Sequence, residues 1–338
     1  MNIKHIILLL LLIPGFTFAG SNTLVVASWN VENLFDTMDD PDNPNDDSYT
    51  PDGWTHWTTF RYTRKLSNLA KIIAAMKPDI LCLAEVENRQ VLKDLVATLQ
   101  KEQQVELPFI IHRNCGDTRG IDVAMLSKYE PVYTNWFCAF PGQRDVLVCD
   151  FVINDRPLTV MINHWKSQLG AKEDSDLIRS TEAKAVRKFI DMRLEKQPTS
   201  AILVLGDFND NVESPILVRD AGLSLDGALV RTNAAKRLFW NLSSLFSEEE
   251  RGSYYYAAAK RWNSFDSISV SPGMLTNSTP TAPWHVKAET YSIFKYPEHV
   301  QTNRTPKPFR YIRSKANGNK MVMGFSDHFP VRVEVNAE

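Results

Sequence analysis

The sequence predicts a layered α/β sandwich. Short apolar runs of strand length alternate with longer amphipathic stretches, and several strand-like runs follow one another with no helix between them. No internal repeat and no linker divides residues 20–338, so they read as one domain. Leu24 to Trp29 opens the fold as a buried strand. Arg61 to Met76 is an amphipathic helix with Leu66, Leu69, Ile72 and Ile73 on one face and Pro78 marking its end. Asp79 to Ala84 is a strand, and Val91 to Leu99 a second helix. Ile121 to Leu126, Asp145 to Val152 and Leu158 to Ile162 read as strands. Glu173 to Lys196 is a long helix with acids in its first turn and Leu177, Val186, Phe189 and Ile190 expected to face inward. Ala201 to Leu205, Asp266 to Val270 and Val331 to Val335 complete the strands. Asp39 to Gly53, crowded with Asp, Asn and Pro, and Asn277 to Asn319, polar and without period, read as surface insertions.

The first nineteen residues read as a secretory signal peptide. Lys4 and His5 precede an apolar run from Ile6 to Phe18, broken by Pro14 and Gly15, with small residues at Ala19 and Gly20. The run is too short and too broken to span a bilayer. Cleavage after Ala19, secretion or a periplasmic location, and no stable membrane insertion are the expectations. The formal charge of the whole chain is −2, and losing the leader removes Lys4 and no acid. That balance excludes a general electrostatic grip on nucleic acid but not an enzyme that needs only transient contact. Cys82, Cys115, Cys138 and Cys149 allow one or two disulfides in an oxidising compartment, although Cys82 sits in an apolar run and reads as a buried thiol. None has metal-ligand spacing.

Chemistry concentrates just past the strand ends. A strand of Val, Ile and Leu is a rigid rod, and a polar side chain beyond its end is held firmly yet can meet a ligand. Glu85 emerges from Ile80-Leu81-Cys82-Leu83-Ala84 and suits a hard cation; alone, it is also an ordinary acid after a strand. Asp207 and Asn209 alternate with Phe208, as functional residues or as a polar turn. His164 ends another strand, where a lone histidine is usually structural. Arg119 and Lys166 are candidate phosphate contacts, against the commoner fate of solvated charge. Asp266 lies among apolar neighbours and needs a partner, an imidazole being the sharper choice. Asp327 and His328 are adjacent, so on extended backbone one can hold metal while the other handles protons.

Together, six segments in order resemble the endonuclease/exonuclease/phosphatase superfamily, the DNase I-like enzymes. They are Trp29-Asn30-Val31-Glu32, the Glu85 segment, Asn163-His164-Trp165-Lys166, Gly206-Asp207-Phe208-Asn209-Asp210, the Asp266 segment and Ser326-Asp327-His328. Asn30 to Asp36 and Arg119 to Asp122 are similar to secreted bacterial members. The resemblance implies a four-layer α/β sandwich of two packed, mainly antiparallel sheets flanked by helices. It implies that Glu85 binds Mg2+ or Mn2+ with Asp327 and Asn30, and it allows Ca2+ as a structural ion. Asp207 and Asn209 would position water and phosphate. His328 would be general base or charge stabiliser, oriented by Asp266, and His164 would contact the phosphate. Asn30, Arg119, Asn163 and Lys166 are the implied phosphate ligands. Glu32 stands where nucleases of the superfamily often carry Asp, which puts its metal role in doubt, and Asp122 has no assignable role. The expected activity is hydrolysis of nucleic acid phosphodiesters by a monomer. A phosphatase, a lipid-headgroup phosphodiesterase and an inactive binding module are the alternatives.

Overall fold

The computed structural model describes residues 22–41, 43, 45–275, 283–301, 307–313 and 321–337; the expected signal peptide lies outside them. Two sheets pack face to face. The first takes β1 (Thr23–Leu34), β2 (Ile80–Val86), β3 (Phe109–His112) and β4 (Asp122–Ser127). The second takes β5 (Tyr133–Cys138), β6 (Asp145–Ile153), β7 (Arg156–His164), β8 (Ile202–Asp207), β9 (Leu223–Ser224) and β10 (Phe239–Asn241). A ribbon of β11 (Tyr254–Tyr256) and β12 (Arg261–Asn263) precedes β13 (Asp266–Val270), which returns to the second sheet. The chain then adds β14 (His285–Ile293) to the first sheet. It makes two small ribbons, β15 (Val300–Gln301) with β16 (Lys307–Pro308) and β17 (Tyr311–Arg313) with β18 (Met321–Met323), and ends in β19 (Val331–Asn336). The strand orders are β14-β19-β1-β2-β4-β3 and β5-β6-β7-β8-β13-β10-β9.

Strand alternation builds the layers. In β1, Leu24 and Val26 face the second sheet, whereas Ala27 and Trp29 face the helices; in β8, Leu203 and Leu205 face inward and Ile202 and Val204 outward. Three apolar layers result, one between the sheets and one under the helices on either side, which makes four layers of secondary structure. Helices α1 (Thr59–Met76) and α2 (Arg89–Gln103) cover the first sheet, and α3 (Lys172–Lys196) the second. Thr58 caps α1, Lys77 closes it in the left-handed region at φ 52°, and Pro78 prevents its continuation. Asn88 caps α2 by accepting from Gln90 and Val91.

Two expectations fail here. Leu177 is 65% exposed, while Val186, Phe189 and Ile190 are buried. At 3.6 residues per turn, Leu177 lies half a turn away from Val186 around the axis, and Ser175, Arg179 and Glu182 hold the inner face instead. The polar segment after Asn277 is not wholly an insertion, because His285–Ile293 pairs with β19 as an edge strand. One face of an edge strand meets water, so its burial pattern is weak and leaves little apolar signal. The remainder of that segment lies partly outside the described residues. The cysteines are all unbridged, with Cys82 and Cys149 buried between the sheets and Cys138 exposed.

Only two neighbouring pairs among the longer strands are parallel, β1 with β2 and β7 with β8, each joined through a helix. Their C-terminal ends share one end of the sandwich. The antiparallel neighbours β13 and β19 begin there, so both sheets deliver strand-end residues to one place.

Candidate active site

Three candidate residues stand in one rung of the second sheet. Asp207 is the register partner of His164 on β7 and of Asp266 on β13. Register partners sit roughly 5 Å apart and leave the sheet on the same side, so their side chains converge. The approach of β8 to β7 here is close. At Gly206 the backbone adopts φ 133°, and a Cβ would lie 2.0 Å from the Asn163 carbonyl oxygen.

The first sheet reaches across to this rung. Asn30 Nδ2 donates to Asp207 Oδ2 at 2.9 Å, and His328 Nδ1 donates to Asp266 Oδ2 at 2.7 Å. The His328 segment is fastened to β1: Ser326 Oγ donates to the Asn30 carbonyl (2.6 Å), the His328 amide to Ser326 Oγ (3.1 Å), and Trp29 Nε1 to the His328 carbonyl (2.9 Å). Ser253 Oγ donates to Asp266 Oδ2 at 2.6 Å. Asp207 Oδ1 accepts from the Asn209 amide (2.9 Å), and Asn209 Nδ2 donates to the Trp165 carbonyl (2.9 Å). Two imidazoles face the same carboxylate oxygen, His164 Nε2 at 3.8 Å and His328 Nε2 at 3.9 Å from Asp207 Oδ2.

Burial separates the protonation states. Burial pushes Asp207 up to about 6, although His328 counteracts it. Burial alone would strip the proton from His328, but Asp266 and Asp207 outweigh it and hold the imidazole well above the ordinary histidine range. His164 has no carboxylate as close as Asp266 is to His328, and burial, then Arg144 and Arg119, push it well below that range. The site thus pairs an imidazolium with a neutral imidazole.

A second cluster lies at the end of β1 and β2. Both strands lose register there, and Glu32, Asn33 and Glu85 sit at φ 55°, 54° and 65°, a region costly for residues with a Cβ. The bulge turns Glu85 so that Oε2 accepts from the Asn33 amide at 2.8 Å while Oε1 stays 3.5 Å from Arg119. Arg119 also donates to Asn33 Oδ1 at 2.7 Å. Arg310 bridges the remaining acids, Glu32 Oε1 at 2.8 Å and Asp327 Oδ2 at 3.0 Å. Although burial opposes it, Arg310 holds the Asp327 carboxyl below its ordinary range. Glu85 and Asp327 are 13% and 19% exposed at the side chain, against 2% for Glu32, so they are the acids of this cluster open to solvent. Their hard oxygen donors fit Mg2+ or Mn2+.

Several expected roles do not match this geometry. Asn163 is fully buried; its Nδ2 donates to the Leu205 carbonyl and its Oδ1 accepts from Trp165, so it braces the strand end and does not face phosphate. Lys166 Nζ donates to the Leu169 carbonyl at 3.3 Å, at the rim of the site. Asn30 turns its amide to Asp207, and its oxygen accepts from the Glu32 amide, which makes it a positioning residue. Asp122 accepts from His112 and from the Cys115 amide and so anchors the loop that carries Arg119. Arg144, Ser253, Tyr254 and Arg310 were not legible beforehand. Arg144 Nε donates to the His164 carbonyl, and Tyr254 packs against His328 with ring centroids 4.8 Å apart.

The comparisons agree with this architecture. No curated protein matches the chain. Solved structures of similar fold include a Bacteroides thetaiotaomicron endonuclease/exonuclease/phosphatase family protein (18% identity, 94% of this chain and 95% of that one, TM-score 0.55). Others are a humanized D. rerio TDP2 (16%, 94% and 100%, 0.54) and a B. thetaiotaomicron mannosyl-6-phosphatase (18%, 92% and 99%, 0.51). The model of the endonuclease/exonuclease/phosphatase family matches residues 25–337. The chain belongs to that family, a phosphoesterase on the DNase I-like fold.

Proposed function

We propose that the chain is an exported, divalent-metal-dependent phosphodiesterase that hydrolyses nucleic acid. The observation that carries this reading is the convergence of two imidazoles, His164 and His328, on one buried carboxylate oxygen of Asp207. A phosphodiester repels an incoming nucleophile, so hydrolysis needs positive charge on the non-bridging oxygens and an oriented water. Asp207, raised to about 6, is ionised at neutral pH and accepts the proton of the attacking water. Asn30 and Asn209 hold it in place. The His328 imidazolium, oriented by Asp266, neutralises charge that builds on the phosphoryl oxygens while the phosphorus–oxygen bond to the leaving group breaks, and solvent water protonates the departing alkoxide. His164 hydrogen-bonds the same group as a neutral imidazole, and Arg119, held at Glu85 and Asn33, adds positive charge near it. Glu85 and Asp327 would hold the cation, which when bound would supply Lewis-acid stabilisation of the charge on those oxygens.

An aromatic surface beside His328 favours a nucleic acid substrate. Tyr255 meets Trp262 edge-on, Lys307 lies over Tyr255 and Lys295 over Trp262, next to Tyr254 on His328. Aromatic faces flanked by lysines stack bases without reading sequence. The leader-like residues 1–19 support export. The test incubates the protein with plasmid DNA, RNA, bis-p-nitrophenyl phosphate and p-nitrophenyl phosphate, with Mg2+, Mn2+ or EDTA. Metal-dependent cleavage of nucleic acid and of the diester is expected. Faster release from the monoester, with nucleic acid intact, would replace this reading with a phosphatase.

A further inference from the structure

The segment after β1 is dense in acids. Asp36, Asp39, Asp40, Asp42, Asp46 and Asp47 fall within twelve residues, and no Lys or Arg occurs between Lys4 and Arg61. One carboxylate oxygen from each of Asp39, Asp46 and Asp47 lies within 4.8 Å of the other two. Asp39 and Asp47 are exposed, but Asp46 is only 1% exposed. Its Oδ2 accepts from the Asp40 amide at 2.7 Å, and its Oδ1 has no hydrogen-bond partner among the described residues. Acids at the catalytic end are matched by Arg119 and Arg310; among the described residues these three aspartates have no ion pair. A buried carboxylate with one unpartnered oxygen, close to two further carboxylates, is unfavourable as an anion unless a cation joins them.

We propose that Asp39, Asp46 and Asp47 form a Ca2+ site, separate from the catalytic cluster. Ca2+ suits it because it accepts six to eight oxygens in flexible geometry, and two exposed ligands leave room for water; Mg2+ demands a near-ideal octahedron. The bound ion braces the neighbouring loop. Asn45 Nδ2 donates to the Thr118 carbonyl, and Gly120 lies against Asn43 so closely that a Cβ would overlap its side chain. Between those two contacts sits Arg119, which reaches Glu85 and Asn33.

The experiment is calorimetric titration of the full chain with CaCl2, alongside thermal denaturation in EDTA, Ca2+ or Mg2+. It uses the Glu85→Gln background, where turnover is not being read, so the result stands apart from the phosphodiesterase reading. One Ca2+ per chain is expected, with a rise in Tm that Mg2+ does not reproduce. Asp46→Asn should abolish both signals. The exposed Asp47→Asn, which keeps the buried carboxylate, should bind at least about tenfold more weakly. No heat and no Tm rise with Ca2+, equal responses to Mg2+, or Ca2+ responses unchanged in both variants would overturn the site.

Discussion

The two halves of the catalytic end handle charge in opposite ways. The half centred on the second sheet (His164, Asp207, Asp266, with His328 reaching in) is a chain of short hydrogen bonds in which every acid faces an imidazole or an amide. The half at the end of β1 and β2 (Glu32, Glu85, Asp327) is held by guanidinium groups, Arg310 and Arg119. A hydrogen-bonded set is fixed before any ligand arrives, which is what proton transfer needs. A carboxylate held by a guanidinium can exchange that partner for a metal cation, which is what cation capture needs. On the proposed function, the difference is that one fold end is rigid for protons and exchangeable for metal.

The largest expected effect tests the exchangeable half. Glu85→Gln removes one ligand charge at nearly constant size, and kcat should fall by roughly 10³-fold or more while the circular dichroism stays that of the wild type. Full activity in dilute Mg2+ would move the metal elsewhere.

The rigid half should break as a unit. Asp266→Asn and His328→Ala should each lower kcat/KM by about 10²-fold, and the double variant should be little worse than His328→Ala. Multiplicative losses would show that the two act independently and return Asp266 to a structural role.

A pH profile sharpens the same comparison. With Asp207 near 6 in the free enzyme, and the carboxylate as the active form, kcat/KM should rise with pH through about 6 and then level. The Asn30 hydrogen bond favours the charged form, so Asn30→Ala should move this acid limb upward. An unmoved limb would mean another group sets it.

The smallest effect concerns the guanidinium. Arg310→Ala leaves the buried Glu32 without its ion pair, discounted because Arg310 is 43% exposed, and should cost about 1–2 kcal/mol of stability in EDTA. Mg2+ should restore more Tm to this variant than it adds to the wild type. Equal Mg2+ responses would show that Arg310 does not compete with the cation.

The sequence by itself determined the strands that cross the core and the residues at their ends. Apolar period and strand-end polarity are local signals, readable from Ile80 to Glu85 or from Ala201 to Asp207. It was weakest where an element is half wet, as in β14, or where helix phase decides, as at Leu177. Only the tertiary structure decided which atoms each candidate spends. Asn163, adjacent to His164 in the same motif, faces into the fold because successive strand residues point to opposite sides. Arg310 joined the site because the chain returns after β16 to lie against Glu32, a contact between residues 278 positions apart. The opposite pKa shifts of His164 and His328 follow from burial, from the arginines near His164 and from Asp266, which packing brings against His328 alone, and these long-range facts leave no trace in local pattern.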